Sequence, residues 1–301
     1  MELRQIQYFV VVARQRHFTR AAASLGVAQP ALSQQIRQLE DELGVRLLDR
    51  SSRPVTLTPA GVAFLARAER IVAEARLAEE DVREYAGIGR GRLVVGALPA
   101  LASLWLPPVL ARFRAAHPRT DVTVREENTE ELARLVGSGQ LDLALLHAVP
   151  GSYAGDRLEG GVVMERLFDE ELMAVVPPAH RLAGRASVSL AELRGEPFVL
   201  LGRGVGLSHT VLAATAAEGF SPDVVAEART VRTLCALVAA GVGVSIVARL
   251  PARAPGNGLV ALPLVPPLPA HTTVVAWRGD SRPSAATEAL LTLIRAAAAH
   301  T

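Results

Sequence analysis

The stretch that decides the fold is Phe18-Thr19-Arg20-Ala21-Ala22-Ala23-Ser24-Leu25-Gly26-Val27-Ala28-Gln29-Pro30-Ala31-Leu32-Ser33. Helix-compatible residues run up to Gly26, and glycine ends helices because it enters the left-handed region without strain. After Val27-Ala28, Pro30 suits the first turn of a new helix, where its missing N–H has no use. The earlier helix is expected from Arg20 to Leu25, with Thr19 as its N-cap. The later one should run to about Leu43 and stop at Gly44, with Leu32, Ile36, Leu39 and Leu43 on its apolar face. Upstream, Leu3, Ile6, Phe9, Val10 and Ala13 recur at helical spacing and predict an amphipathic helix over residues 2–15. Helix, four-residue turn with Gly, helix is the order of a helix-turn-helix, whose second helix enters the DNA major groove.

The rest of the segment fits that geometry. Gln29, Ala31, Ser33, Gln34 and Arg37 fall on the outer face of the third helix and are small or polar groups able to reach base edges or phosphates. Residues 46–58 read as two short strands around a basic turn, a wing, with Arg50 and Arg53 set along phosphates or one of them entering the minor groove. Residues 1–58 hold eight arginines against five carboxylates, a net of +3, whereas the whole chain of 301 residues carries only +2. The chain has no lysine, so every fixed cation is a guanidinium.

The ordered, ungapped run Phe18-Thr19-Arg20-Ala21-Ala22, Leu25 to Ser33, Ile36, Leu39-Glu40, Leu43-Gly44, Leu47-Leu48, Arg50 and Leu57-Thr58-Pro59-Ala60-Gly61 resembles the LysR-type transcriptional regulators over nearly sixty residues. Two positions depart from the family pattern. Ala28 stands where Ser or Thr is frequent, which removes a side-chain cap, and Gln34 stands where many members carry Arg. The resemblance implies double-stranded promoter DNA as partner, with Thr19, Arg20, Gln29, Pro30, Ala31, Ser33, Gln34, Arg37, Arg50 and Arg53 as the contact set.

Thr58 and Pro59 can open a long helix over residues 59–87, ended by Gly87 and Gly89. Val62, Leu65, Ala68, Val72, Ala75, Val82 and Ala86 give it one apolar stripe. The winged module reads as too small to cover that stripe, so pairing with a second copy is expected. The resemblance implies a dimer through this helix and a dimer of dimers beyond it.

Beyond Gly91 strand-like and helical runs alternate, which indicates parallel βαβ units. The expected elements include Leu93–Gly96, helix Leu101–Ala116, Asp121–Val124, helix Thr129–Gly137 and Leu141–Leu146. A second set holds Leu172–Val176, Phe198–Leu201, helix Ser208–Gly219, helix Thr230–Ala240 and Val244–Val247. A strand Thr272–Trp277 and a helix over 283–299 close the chain. The fold class expected is α/β with an all-α winged helix-turn-helix N-terminal domain and a C-terminal two-lobed effector domain resembling periplasmic binding proteins. The divisions are 1–58, 59–90 and 91–301, with lobe I at 91–163 and 268–301 and lobe II at 164–267.

By the same resemblance a small-molecule effector sits between the lobes, against Leu98, Pro99, Ala100, Ser103, Asn128, Thr129, His147, Leu201, Gly202 and Arg203. Several helix starts near these residues suit a carboxylate, because helix N-termini present free N–H groups and partial positive charge. Ala97 and Ala100 stand where relatives place hydroxyls, and Arg203 can restore affinity for an anion.

Other classes find less support. The chain shows no nucleophile elbow, phosphate-cradling loop or His-Glu metal helix, so no catalytic residue, metal or cofactor is expected, and an enzyme is the weaker alternative. A free solute-binding protein fits poorly with the attached winged module. No apolar run approaches the ~18–20 residues of a membrane span, and the start of the chain lacks the pattern of a secretion signal. The cytoplasm is the expected compartment, with RNA polymerase as a further expected partner. Cys235 is the only cysteine, which excludes an internal disulfide.

Overall fold

The computed structural model describes residues 1–52, 54–85, 91–148, 161–202, 206–280 and 282–301. The N-terminal module holds α1 (Leu3–Gln15), α2 (Phe18–Leu25), α3 (Gln29–Leu43) and the hairpin β1 (Leu48–Asp49) with β2 (Thr56–Leu57). Its core gathers Phe9, Val12, Ala21, Leu32, Ile36 and Leu39, all fully buried. Gly26 and Gly44 close α2 and α3 at φ +66° and +68°, as their positions after the last apolar residue require.

The start of α2 differs from expectation. It opens at Phe18, because extended His17 turns its ring back to accept from the Arg20 N–H through Nδ1 at 3.4 Å. Thr19 therefore lies inside the helix on the exposed side. Leu43, expected on the apolar face of α3, is exposed, and Glu40 occupies the buried stripe in its place at 7% exposure. Ala28 is the N-cap of α3 and supplies no side-chain bond.

The long helix α4 (Pro59–Tyr85) begins where Thr58 Oγ1 accepts from the Gly61 N–H at 3.0 Å. Leu65, Ala68 and Val72 were expected to await a second copy. They pack instead against the module of the same chain, because α1 lies along α4 and Phe64 meets the Phe9 ring edge-on at 5.2 Å. Among the described residues the large apolar groups left outward on α4 are Val62, Ile71 and Val82. The expected end of this helix at Ala86, Gly87 and Gly89 lies outside the described residues. No helix among the described residues is long and apolar enough to cross a membrane.

The C-terminal part builds two lobes around sheets of mixed direction. In the first lobe, β3 (Arg92–Ala97), β4 (Asp121–Glu126), β5 (Leu143–His147), β6 (Val162–Glu170) and β12 (His271–Arg278) form one sheet in the order β4-β3-β5-β12-β6. The β3, β4 and β5 strands are parallel, and β12 runs antiparallel to β5 and β6. The expected parallel units are present in β3, β4 and β5, and the antiparallel pairs arise because the chain leaves through β6 and returns through β12 in opposite senses. The β6 strand belongs to this sheet, so the crossing to the second lobe falls at Glu171 and not at 164.

Helices α5 (Pro99–Leu104), α6 (Leu106–Ala116) and α11 (Ala285–Ala298) cover one face of the sheet, and α7 (Thr129–Gly137) covers the other. One helix was expected over 101–116. Trp105 (φ −114°) breaks it in two, and Pro107 and Pro108 suit a fresh first turn.

The second lobe pairs β7 (Leu172–Val176) with β10 (Ser245–Ala248) and β11 (Val260–Pro263), and β8 (Pro197–Leu201) with β9 (Asp223–Ala228). Helices α8 (Gly206–Ala217), α9 (Val231–Ala239) and α10 (Arg249–Ala252) complete it. The strands β6, β9 and β11 were not anticipated. In β9 most side chains are exposed, so no apolar alternation marks it.

Candidate nucleic-acid interface and effector site

Helix α3 is divided lengthwise by burial. Leu32, Ile36 and Leu39 are fully enclosed, whereas Gln29, Pro30, Ala31, Gln34 and Arg37 are all exposed and Ser33 is half-buried. The step of three and four residues between the enclosed positions is the helical repeat, and the exposed set falls on the opposite side. Thr19 and Arg20, at the start of α2, are exposed beside it. Arg20 is held down by a bond from Nη2 to the Gln15 carbonyl at 3.0 Å.

Arg50 faces a different way from the wing arginine expected at a phosphate. Its Nη2 reaches the Glu40 carboxylate at 2.7 Å, its Nη1 reaches Ser33 Oγ at 3.3 Å, and its guanidinium lies 5.2 Å from the Phe18 ring centre. The other Glu40 oxygen accepts from the backbone N–H groups of Leu47 and Leu48 at 2.9 and 3.1 Å. A single carboxylate thus fastens the root of the wing to the helix presented outward, and Arg50 is spent on that fastening. Glu40 was missed from the sequence. Its signal was there, since a carboxylate four residues after Ile36 and eight after Leu32 stands on the buried stripe. Arg53, expected at the wing tip, lies outside the described residues.

A second buried carboxylate joins this module to the first lobe. Glu69 of α4 is 5% exposed. It accepts from Arg14 Nε of α1 at 3.2 Å and Gln140 Nε2 at 3.0 Å, and it meets Arg134 of α7 at 3.6 Å. Along the same seam Arg70 pairs with Asp280, Glu74 with Arg278 at 2.7 Å, and Arg76 with Asp142 at 2.7 Å. Gly139 sits so close that a Cβ on it would stand 2.4 Å from the Ala73 Cβ. Side chains from α7, from the end of β12 and from the loop before β5 therefore bear on the helix that carries the N-terminal module.

The expected effector residues lie at the carboxyl ends of parallel strands. Leu98 to Ser103 follow β3, Asn128 and Thr129 follow β4, His147 ends β5, and Leu201 and Gly202 end β8. The chain passes from β3 outward to β4 and then back across to β5. The gap between β3 and β5 is thus a topological switch point, the place where open α/β sheets hold ligands. The Leu98 N–H bridges it to the Leu145 carbonyl at 3.0 Å. Two expected contacts are locally occupied. Asn128 caps α7 by accepting from the Glu131 N–H at 2.9 Å, and the Ser103 hydroxyl donates to the Pro99 carbonyl at 2.8 Å. Arg203 lies outside the described residues. Helix α5 also packs on α9 and α10, so the switch point adjoins the second lobe.

Beneath it lies a polar patch that the sequence did not reveal. In the antiparallel register Thr273 faces His147, and His271 faces Glu170, which puts all four side chains on one face. The two imidazoles meet edge-on at 5.0 Å, and the His147 Nε2 is 4.0 Å from the Glu170 carboxylate. His147 Nε2, His271 Nδ1 and Thr273 Oγ1 are buried without a hydrogen-bond partner among the described residues. Burial, and then the neighbouring His271, hold the His147 imidazole neutral with a pKa of about 3. Burial lowers His271 as well, and it raises the Glu170 carboxyl even though the Leu250 N–H donates to it. Buried polar groups of this kind mark a ligand site or a strained joint.

Comparison with known proteins completes the picture. The family described as "Bacterial regulatory helix-turn-helix protein, lysR family" matches residues 3–62, and the "LysR substrate binding domain" matches residues 86–299. The DNA-binding transcriptional dual regulator OxyR of Escherichia coli (strain K12) is 33% identical over 298 residues, which cover 98% of this chain and 95% of that protein. The structure of a full-length OxyR variant from Pseudomonas aeruginosa superposes with a TM-score of 0.73 at 27% identity, over 99% of this chain and 94% of that one. Full-length CbnR complexed with its target DNA shares the fold, with a TM-score of 0.69 at 24% identity, over 99% of this chain and 100% of that one.

Proposed function

Since the chain belongs to the LysR-type transcriptional regulators, DNA-binding proteins with an effector-binding domain, we propose that the outer face of α3 reads the major groove of promoter DNA and that a small molecule between the lobes governs how that face is presented. The observation that carries this reading is the lengthwise division of α3, with Gln29, Ala31, Gln34 and Arg37 exposed above a fully enclosed Leu32-Ile36-Leu39 stripe. Gln can pair bidentately with adenine, and Arg37 suits guanine or a phosphate. Thr19, Arg20, Pro30, Ser33 and Arg53 flank the groove in this reading, and Arg50 acts by holding the wing.

Val62, Ile71 and Val82 on α4 form the contact with a second copy, which places two modules on a two-fold-related site. A dimer of dimers, contact with RNA polymerase and action in the cytoplasm belong to the same reading. The effector sits at the switch point, against Leu98, Pro99, Ala100, Asn128, Thr129, His147, Leu201, Gly202 and Arg203. A carboxylate suits the free N–H groups at the first turns of α5 and α7. Its arrival shifts lobe I against α4, and the Glu69 cluster passes that shift to α1. Cys235 is a poor alternative sensor, because burial raises its thiol pKa to about 11 and no second cysteine exists to pair with it.

A gel shift over a range of salt concentrations, with the DNA upstream of the chain's own gene, tests the proposal. Sequence-specific retention that weakens linearly with log salt is expected. Equal binding to unrelated duplexes at every salt concentration would overturn it.

A further inference from the structure

The seam between α4 and the first lobe is dense with ion pairs, but at one point a charged donor is left over. Arg278, the last residue of β12, is 9% exposed. Its Nε meets Asp280 at 2.8 Å and its Nη2 meets Glu74 at 2.7 Å. Its Nη1 is buried and has no acceptor among the described residues. That atom lies beside Gly139, where an added Cβ would stand 3.2 Å from it.

A cavity of about 30 Å³ opens here, with Gly139 and Arg278 in its wall. Arg76 of α4 and Arg282 also line it, as do Ser284 and Thr287 from the first turn of α11. Ser284 is the N-cap of this fourteen-residue helix and accepts from the Thr287 N–H at 3.2 Å. Among the described residues Asp142 is the one carboxylate in the lining. Both of its oxygens are taken, by Arg76 at 2.7 Å and by the Val94 N–H at 2.6 Å. Glu74, Asp280 and Glu288 pair with these arginines but do not line the cavity.

We propose that this cavity is an anion site, taking one small monovalent inorganic anion of halide size and bridging the helix that carries the DNA module to the effector domain. The leftover buried N–H of Arg278 calls for an acceptor, Arg76 and Arg282 bring two further guanidiniums to the same wall, and Asp142 already holds two donors. The volume admits one small ion or a water and is too small for a phosphate or a metabolite. This site is separate from the switch point and does not depend on the effector reading.

Full-length protein held in sodium gluconate, with gluconate replaced by chloride at constant ionic strength, tests it. Matching the ionic strength keeps screening of the ion pairs unchanged. Chloride should raise the Tm saturably, by about 2 °C at ten times its dissociation constant. Bromide should do the same, and its anomalous scattering in a crystal should lie beside Arg278 Nη1. Arg278→Gln should abolish the response. Should that variant fail to fold, Arg282→Gln, changed at a side chain 88% exposed, should weaken chloride binding at least threefold. A Tm that is the same in gluconate and chloride, or an undiminished chloride response in Arg282→Gln, would overturn the proposal and leave the cavity to water.

Discussion

Replacing Glu40 by Ala should loosen the wing from α3 more than any single change on the surface of the module. The carboxylate, 7% exposed, accepts from two buried backbone N–H groups and one guanidinium. Each amide left without an acceptor in a buried setting costs about 1–3 kcal/mol. Partial entry of water into the space left by the side chain keeps the two together near ~2–3 kcal/mol. Arg50 is 28% exposed and retains Ser33 and the Phe18 ring, so its loss adds only about 1 kcal/mol. The sum is about 3–4 kcal/mol. Native-state hydrogen exchange reads it locally. The amides of Leu47 and Leu48 should exchange about 100- to 1000-fold faster, at 1.36 kcal/mol per factor of ten. Glu40→Gln keeps an oxygen for the two amides and loses only the ion pair, so its effect should be about fivefold. An increase below about fivefold in Glu40→Ala would refute the claim that this carboxylate fastens the wing.

Other changes test other joints. Gly61→Ala would drive a Cβ to 1.9 Å from the Leu47 carbonyl oxygen, and thermal unfolding should show a loss of about 1–3 kcal/mol. Gly139→Ala meets both a φ of +72° and the Ala73 Cβ at 2.4 Å. It should part α4 from the first lobe, seen as a larger radius of gyration in small-angle scattering, and an unchanged radius would argue against that seam. Arg37→Ala should weaken DNA binding and reduce the salt slope by about 1 if the side chain meets a phosphate. His147 and His271 are neutral in the fold and have lowered pKa values, so the unfolded chain takes up protons first as pH falls. Stability should therefore drop below about pH 6.5, by at most ~1.4 kcal/mol per pH unit for His147. Glu170, with a raised pKa, works in the opposite sense, losing stability as pH rises through its folded value. His147→Gln should flatten the acid limb of a Tm-against-pH curve.

The helix-turn-helix was legible because local rules decide it. Gly26, Gly44 and Pro30 each have one conformational use, and the Leu32-Ile36-Leu39 spacing admits one face. The effector domain was legible as alternating elements, with α7 placed residue for residue from Thr129 to Gly137. Direction and crossing were hidden, since nothing in Thr272–Trp277 tells whether its neighbours run with it or against it. The carboxylates Glu40 and Glu69 escaped because an acid on an apolar stripe reads as a flaw in the stripe until its partners are known. Those partners stand 7 to 71 residues away along the chain. The His147-Thr273 and His271-Glu170 pairs escaped for the same reason, as cross-strand register is a property of the sheet and not of either strand.

The central claim is that the exposed side of α3 reads base sequence. Selection of duplexes from a random library by full-length protein, in parallel with the Gln29→Ala/Gln34→Ala double variant, tests it most directly. The native chain should enrich a two-fold-related site, and the variant should retain its helical content and lose that enrichment. Enrichment of the same site by both proteins to the same degree would contradict the account.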